Sequence, residues 1–470
     1  MYYGSLCSRA PSLFGAEDPA AELDLISAKL SSAKKASVKL FSARDSSAEN
    51  AFVAYQKGSL APTRKLKIAY MLPHHNVTGG MKCLVEHLRL LRTQGHTTIA
   101  VHRSDSASRA MPPWTDDTAD VDIVLKLHQR LHHVYPAGDI DVVVVGIFHQ
   151  VAELLVGVSA PVLYWEQGHE WLFGDPVRFQ RQHNYQKQDK LFHMVLHLPV
   201  ALASVSGAVA SVLSSEFGRS SLIIPNGVDC NRFFPGPHQA HLPTNLLVAS
   251  PAESIHQRAH CSVLLVGNPS LPLKGFEVAI AALAAVNQVL PLSITWVCQC
   301  RPTTAMIPSL ASCGLCISLH INPSQDELPG LYRGHDVFLF TSRYEAWGMP
   351  VLEAMASGVA VVATRCLGVQ TFAIHGVNAL LADPQDVLGL VRCLLVVLTD
   401  SVLRFQLQLA GRQTALRFSP TMIVDRLEAV LYSLTAAAGE LLLLREPCLP
   451  DLQQACSWAS QACAKTGSSS

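Results

Sequence analysis

The sequence is poor in charge. Charged residues make up only 15% of the 470-residue chain, and 36 Lys plus Arg balance 36 Asp plus Glu. A chain without a basic excess lacks the footprint of a nucleic-acid binder or of a generally basic membrane surface. No GxGxxG follows any apolar run, which weakens a dinucleotide oxidoreductase reading. No stretch makes a convincing membrane span. The apolar "MVLHLPVALASVSGAVASVL" is interrupted by His197, Pro199, three serines and Gly207, so it reads as strand, turn and helix. A basic start followed by an apolar run is also missing, so no secretory signal is expected. The first sixteen residues lack acids, but Glu17, Asp18, Glu22 and Asp24 follow and argue against a transit peptide. The expected location is cytoplasmic, with organellar targeting by the N-terminal segment as the alternative.

Cysteine is present but unpaired in pattern. Thirteen scattered cysteines, an odd number, read as reduced residues rather than a disulfide framework. Cys298, Cys300, Cys313 and Cys316 could close a structural zinc site. The alternative is that "SITWVCQC" is a buried strand in which Cys acts as a small apolar residue. Asp120 with Asp122, and Asp139 with Asp141, resemble acidic metal-binding triplets. Each pair leads straight into an apolar strand, where alternating acids also serve as solvated punctuation.

What is abundant is apolar: hydrophobic residues make up 49% of the chain. They fall into short runs that alternate with helical patterns. "RKLKIAYMLP" predicts a strand over Leu66–Met71. A glycine-rich loop, "PHHNVTGG", a helix "MKCLVEHLRLLRTQG" and a strand "TTIAVH" come next. "DIDVVVVGIF" and "PVLYWEQ" are further strands. A second run restarts at "SVLLVGNPSLPLKGFEVAIAALAAV" and continues through "ITWVCQC", "ISLHINP", "DVFLFTS" and "VAVVAT". Alternating strands and helices imply parallel, doubly wound sheets. Two such runs predict two Rossmann-like α/β domains facing each other across a cleft. Residues 1–64 lack this rhythm. "AELDLISAKLSSAKKASVKLF" could form an amphipathic helix carrying Leu23, Ile26 and Leu30, or an appended arm of weak structure. Past about Gly439 the pattern is lost and disorder is expected.

One stretch carries chemistry, "RYEAWGMPVLEAMASG" over 343–358. Glu345 and Glu353 have seven residues between them, bracketing Gly348, Met349 and Pro350. Proline suits a first helical position, and Gly358 suits a left-handed helix end. Gly348 and Met349 then stand ahead of a helix whose first N–H groups point outward, which is an anion site. Alternatively, Glu353 only complements the helix dipole.

These pieces together resemble a retaining glycosyltransferase of the GT-B fold, family 4 (glycosyl transferases group 1). The likeness covers about residues 66 to 432. It rests on four motifs in the family's order: "TGG" after the first strand, "IPNGVD" with F.P at the domain junction, "VG" to "KGF" opening the second domain, and E-x7-E before the last core strand. The resemblance implies an N-terminal extension over 1–64 and an N-terminal Rossmann-like acceptor domain over 65–225. It implies a C-terminal Rossmann-like nucleotide-sugar domain over 226–425, then a C-terminal helix and disordered tail over 426–470.

The resemblance also implies site roles. Lys274, Gly348 and Met349 would meet the diphosphate of a nucleoside-diphosphate sugar. Gly79 and Gly80 would let the first domain's backbone approach it, where a Cβ would collide. Glu353 would accept from ribose hydroxyls, and Glu345 would lie near the donor sugar. His169, in "YWEQGHEW", would face that sugar as a catalytic group, or be a satisfied loop histidine. Trp165 and Trp171 could stack on a sugar ring or belong to the core. Asn226 reads as a turn asparagine tolerating an unusual backbone. No metal or other cofactor is expected. The expected partners are the donor and a sugar or lipid-linked acceptor, with no nucleic acid and at most peripheral membrane contact.

Asn268 departs from the pattern. The family usually places an arginine there, six residues before Lys274. Asparagine can donate a hydrogen bond but adds no charge. Either another cation substitutes or the loop binds differently. Two rival functions arise from this: a glycosyltransferase-like binding protein without catalysis, and a GT-B fold epimerase acting on the nucleotide-sugar.

Overall fold

The computed structural model describes residues 64–135, 138–168, 185–236, 261–302 and 314–443, with a few positions up to 457. The expected N-terminal arm, His169, Trp171 and Cys313 lie outside the described residues.

Short apolar runs build the first sheet. Its strands are β1 (Lys67–Leu72), β2 (Thr97–Arg103), β3 (Val121–Leu125), β4 (Val142–Val145), β5 (Val162–Glu166), β6 (Ala201–Ser204) and β7 (Leu222–Ile223). The second sheet has β8 (Cys261–Val266), β9 (Leu292–Cys298), β10 (Ile317–Ile321), β11 (Val337–Phe340), β12 (Ala360–Thr364) and β13 (Leu380–Ala382). The strand orders are β3-β2-β1-β4-β5-β6-β7 and β10-β9-β8-β11-β12-β13. Every pairing between these strands is parallel. Each order reverses beside its first strand, and that switch point opens a crevice at the strands' carboxyl ends. The two predicted doubly wound domains are thus present.

Five helices border the crevice or tie the domains together: α1 (Gly79–Thr93), α2 (Phe276–Asn287), α3 (Met349–Ala356), α4 (Ser401–Leu416) and α5 (Pro420–Ala436). The α1 helix buries Met81, Leu84, Leu88 and Leu91 on the first sheet. In α2 the alanine-rich run "FEVAIAALAAVN" packs against the second sheet, with Ala279, Ala282 and Leu283 fully buried. Among the described residues, no helix is long and apolar enough to cross a membrane.

The chain passes between the domains twice, and the two passages lie side by side. Val228 N donates to Phe418 O at 2.9 Å. Arg412 then clamps the first passage to α3: its guanidinium donates to Phe233 O (2.9 Å), Cys230 O (3.1 Å) and Ala356 O (2.6 Å). After the second passage, α5 returns to the first domain and lies on α1. Its anchor is buried. Leu66 N donates to His96 Nδ1 (3.0 Å), so the ring proton sits on Nε2 and faces Glu428 Oε1 at 2.5 Å.

The tail differs from the expected disorder over its described residues. Arg445 is buried and donates to Leu155 O, Val158 O and Ala160 O of the first domain. Residues 451–457 are helical, and Leu452 and Ala455 are fully buried. One arginine satisfying three carbonyls and a short apolar face on this helix together hold the tail to the first domain.

The acid pairs are structural. Asp120 accepts from Arg92 and from Thr98 N, and Asp122 accepts from Ala110 N and Met111 N. Asp141 pairs with Arg64, and Asp139 with Lys67. Of the four cysteines, Cys298 is buried in β9 and Cys316 is exposed. Among the described residues, no group of three or more His, Cys, Asp or Glu is placed to hold a metal.

His87 on α1 is buried, stacked on Trp165 at 4.4 Å, with Tyr70 Oη 3.3 Å from its Nδ1. Burial holds its imidazole down at about 3. It therefore binds fewer protons folded than unfolded, where its value is about 6.5. Stability from this group is intact above about 6.5 and is lost as pH falls from there toward 3. Between pH 7 and 5 the expected loss is about 2 kcal/mol, at about 1.4 kcal/mol per unit. A His87→Leu variant is less stable at neutral pH but loses less over that interval, as urea unfolding at both pH values would read. Equal losses in the two proteins would remove His87 as the source.

Candidate active site

The two domains face each other over a cavity of about 350 Å³. Its floor is built by two helix beginnings. In the first domain, Thr78 caps α1 through its side chain to Met81 N (3.2 Å), and no acid stands in the first turn. In the second domain, Gly348 starts α3 with no side-chain cap. The backbone of Gly348 is left-handed, with φ +101°, and a Cβ there would stand 2.7 Å from Val369 Cγ2, so only glycine fits. Pro350 falls at the second helical position, one place beyond expectation, where its missing N–H still costs nothing. Gly358, at φ +70°, follows the helix end as predicted.

The two beginnings nearly touch. A Cβ on Gly79 would lie 3.6 Å from Met349 Cγ, in ordinary contact. At Gly80 it would press on the Gln167 side chain at 3.3 Å. No protein backbone forbids a side chain at either glycine. Gln299 Nε2 also crosses the cleft, donating to Val77 O at 2.7 Å.

Charged side chains converge on the same space. Lys274 is set by a short turn, and Gly275 follows it at φ +63°, where a Cβ would be 2.3 Å from Thr341 O. Lys274 Nζ is hydrogen-bonded to Glu345 Oε1, and Ser342 Oγ donates to the same oxygen at 3.0 Å. Glu353 is buried. Tyr332 Oη donates to its Oε2 at 2.9 Å, and its Oε1 faces Lys82 Nζ of α1 at 3.7 Å. Burial, and then the Glu353 charge, push the Tyr332 phenol well above its usual range, so it stays a donor.

The predicted residues Gly79, Gly80, Asn268, Lys274, Glu345, Gly348, Met349 and Glu353 all line this one cavity. Asn268 is spent on its own loop: Oδ1 accepts from Ser270 N (2.9 Å) and from Cys300 Sγ (3.3 Å). His169 lies outside the described residues, so its placement has no structural counterpart here. Trp165 is core, with Nε1 donating to Ile224 O at 3.1 Å. Asn226 differs from expectation. Its backbone is not left-handed, and its buried side chain lines the cavity with Oδ1 unpaired.

The sequence pattern did not mark Lys82, Gln167 or Trp347, which also line the cavity. Lys82 reads as one more exposed helix lysine, and Gln167 carries no motif. Trp347 sits inside E-x7-E, where an aromatic passes as core. Its indole is 3% exposed with Nε1 unpaired, and Gln167 Oε1 is likewise buried and unpaired.

Residues 260–400 match the family described as glycosyl transferases group 1. The D-inositol 3-phosphate glycosyltransferase of Salinispora arenicola is 32% identical over 229 residues, covering 46% of this chain and 50% of that protein. The chain thus spans about half the length of the curated relatives it matches. Sucrose-phosphate synthase from Thermosynechococcus elongatus shares the fold at TM-score 0.64 and 18% identity, covering 80% of this chain and 100% of the other. Anabaena Alr3699/HepE, solved with UDP-glucose, shares it at TM-score 0.60 and 18% identity over 78% and 100%. The fold is the GT-B arrangement of two facing parallel-sheet domains, and residues 260–400 are similar to the glycosyl transferases group 1 family.

Proposed function

We propose that the protein is a retaining glycosyltransferase that moves a sugar from a nucleoside-diphosphate sugar to an acceptor hydroxyl without a metal. The observation that carries this is the meeting of two helix beginnings, one from each domain, with Lys274, Glu345 and Glu353 at one cavity. Helix beginnings and a lysine suit an anion. Paired carboxylates suit sugar hydroxyls. Lys274, Gly348 and Met349 hold the diphosphate, and Gly79 and Gly80 bring backbone amides to it from the other side. Glu353 offers Oε1 to the ribose. Glu345 orients Lys274 and borders the donor sugar.

In the reaction, the bond from the sugar's anomeric carbon to the diphosphate breaks. The acceptor oxygen bonds to the same face, and its proton passes to the departing phosphate oxygen. Lys274 and the helix beginnings stabilise the charge that develops on that phosphate. Acceptors of this class are hydroxyls of sugars, polyol phosphates or lipid-linked carriers.

Asn268 favours a second reading, a nucleotide-sugar binding protein without transfer. Its oxygen is spent on Ser270 and Cys300, and its position brings no charge. The epimerase alternative has no feature of its own in the cavity.

Uridine, guanosine and adenosine diphosphate sugars should be screened for thermal stabilisation, since a ligand that binds only the folded state raises the melting point. The stabilising donor is then assayed for transfer, for anomeric configuration and for activity in EDTA. Stabilisation without transfer supports the binding protein. Release of diphosphate without acceptor supports the epimerase, and no stabilisation by any donor overturns the nucleotide-sugar reading.

Lys274→Ala is expected to cut turnover at least about tenfold while the fold survives, because a contact to developing charge is worth about 3 kcal/mol. An unchanged rate in the folded variant would take Lys274 out of the phosphate site. Glu353→Ala is expected to raise the donor KM more than it lowers kcat, if ribose is gripped equally in ground and transition states. Equal losses in both parameters would instead assign Glu353 a catalytic or folding part.

A further inference from the structure

We propose that Lys82 is the cation by which the first domain holds the donor's diphosphate. In the structure it rests against Glu353. When a nucleotide-sugar enters, it yields that carboxylate to the ribose and turns to the phosphates. The proposal rests on the nucleotide-sugar reading above.

Charge is the first reason. Lys274 is hydrogen-bonded to Glu345, so its charge is already partly matched within the second domain. Two helix beginnings together supply only about one elementary charge. A diphosphate carries more than that, and Asn268 contributes none. Lys82 and Lys274 are the two cations lining the cavity among the described residues.

Geometry is the second. Lys82 Nζ stands 3.7 Å from Glu353 Oε1, beyond hydrogen-bond reach. Among the described residues, Nζ makes no hydrogen bond, so its three donors are unspent. It is an ion pair loose enough to exchange. By contrast, Tyr332 Oη binds Oε2 of the same carboxylate at 2.9 Å and fixes its orientation. The exchangeable side of Glu353 is therefore the side that faces Lys82.

Position is the third. Lys82 stands in the first turn of α1, close after Gly79 and Gly80, and its flexible four-carbon stem lets the ammonium swing within the cavity. The cavity walls also hold unpaired polar atoms on side chains more than nine-tenths buried, Asn226 Oδ1 and Trp347 Nε1. Because Lys82 belongs to one domain and Glu353 to the other, the exchange ties ligand binding to the approach of the domains.

The test compares a nucleoside with its diphosphate. Wild type, Lys82→Met and Lys82→Arg are titrated with uridine, guanosine and adenosine and with the three diphosphates, by calorimetry for the diphosphates and NMR for the nucleosides. In Lys82→Met, Glu353 is relieved of its competitor, so the nucleoside binds as well as before or better. The diphosphate binds more weakly. The ratio of the nucleoside's dissociation constant to the diphosphate's should fall about tenfold, the worth of one charge-assisted bond. Lys82→Arg should keep most of the ratio. Adding Asn268→Arg to Lys82→Met should restore part of it, because a cation returns to the same cavity. A ratio unchanged within about twofold in a folded Lys82→Met overturns the proposal while leaving the nucleotide-sugar reading intact. If wild type binds none of the diphosphates, that reading falls first and this one with it.

Discussion

The backbone bond from Val228 N to Phe418 O joins the two passages of chain that link the domains. Contacts at both ends of α3 build on it. Phe418 also packs edge-on against Trp347, with ring centroids 5.2 Å apart, and Trp347 is the residue before Gly348. A shift at the crossing therefore reaches the start of α3 through one ring contact. Arg412 closes the other side by holding Cys230 O, Phe233 O and the end of α3 at once. The start and the end of α3 are both tied to the crossing, so the helix is held to both passages of chain.

The cleft's charges are arranged as two lysine–glutamate pairs of unequal tightness. Lys274 and Glu345 lie within the second domain and are directly hydrogen-bonded. Lys82 and Glu353 span the domains at 3.7 Å. Exposed ion pairs contribute little, and half-buried ones gain only where geometry is close. The first pair acts as a fixed fitting. The second is one that a ligand with hydroxyls on one side and negative charge on the other can replace at both ends.

Much of the fold was legible in the sequence, and the rest was hidden for physical reasons. Alternating apolar runs revealed both sheets because strands buried on both faces must be apolar throughout, as Val142–Val145 is. The strands β7 and β13 escaped notice because two or three residues carry no period. The E-x7-E stretch was legible because glycine, proline and glutamate each have a local reason to stand there. Lys82 was not, because its meaning comes from a helix far away in sequence. Asn226 was read as a turn asparagine with an unusual backbone, but its φ is not positive and the residue is buried beside the cavity. The tail was missed for a related reason: a buried arginine leaves no pattern, and seven helical residues are too few to show a period.

The unpaired buried atoms give the cleft a direction. Trp347 Nε1 and Asn226 Oδ1 each lack a partner in the described residues, and such a group costs about 1–3 kcal/mol when left unmatched. A water or a polar group of a ligand removes that cost. An apolar occupant would leave it in place. Helix beginnings favour anions in general and would accept an isolated phosphate as readily as a nucleotide. The indole donor, the amide acceptor and the exchangeable face of Glu353 add a demand for polar groups beside the anion. A ligand meeting both demands has a charged end and a hydroxylated end, and in this cavity both would lie between the two domains that the Val228–Phe418 bond joins.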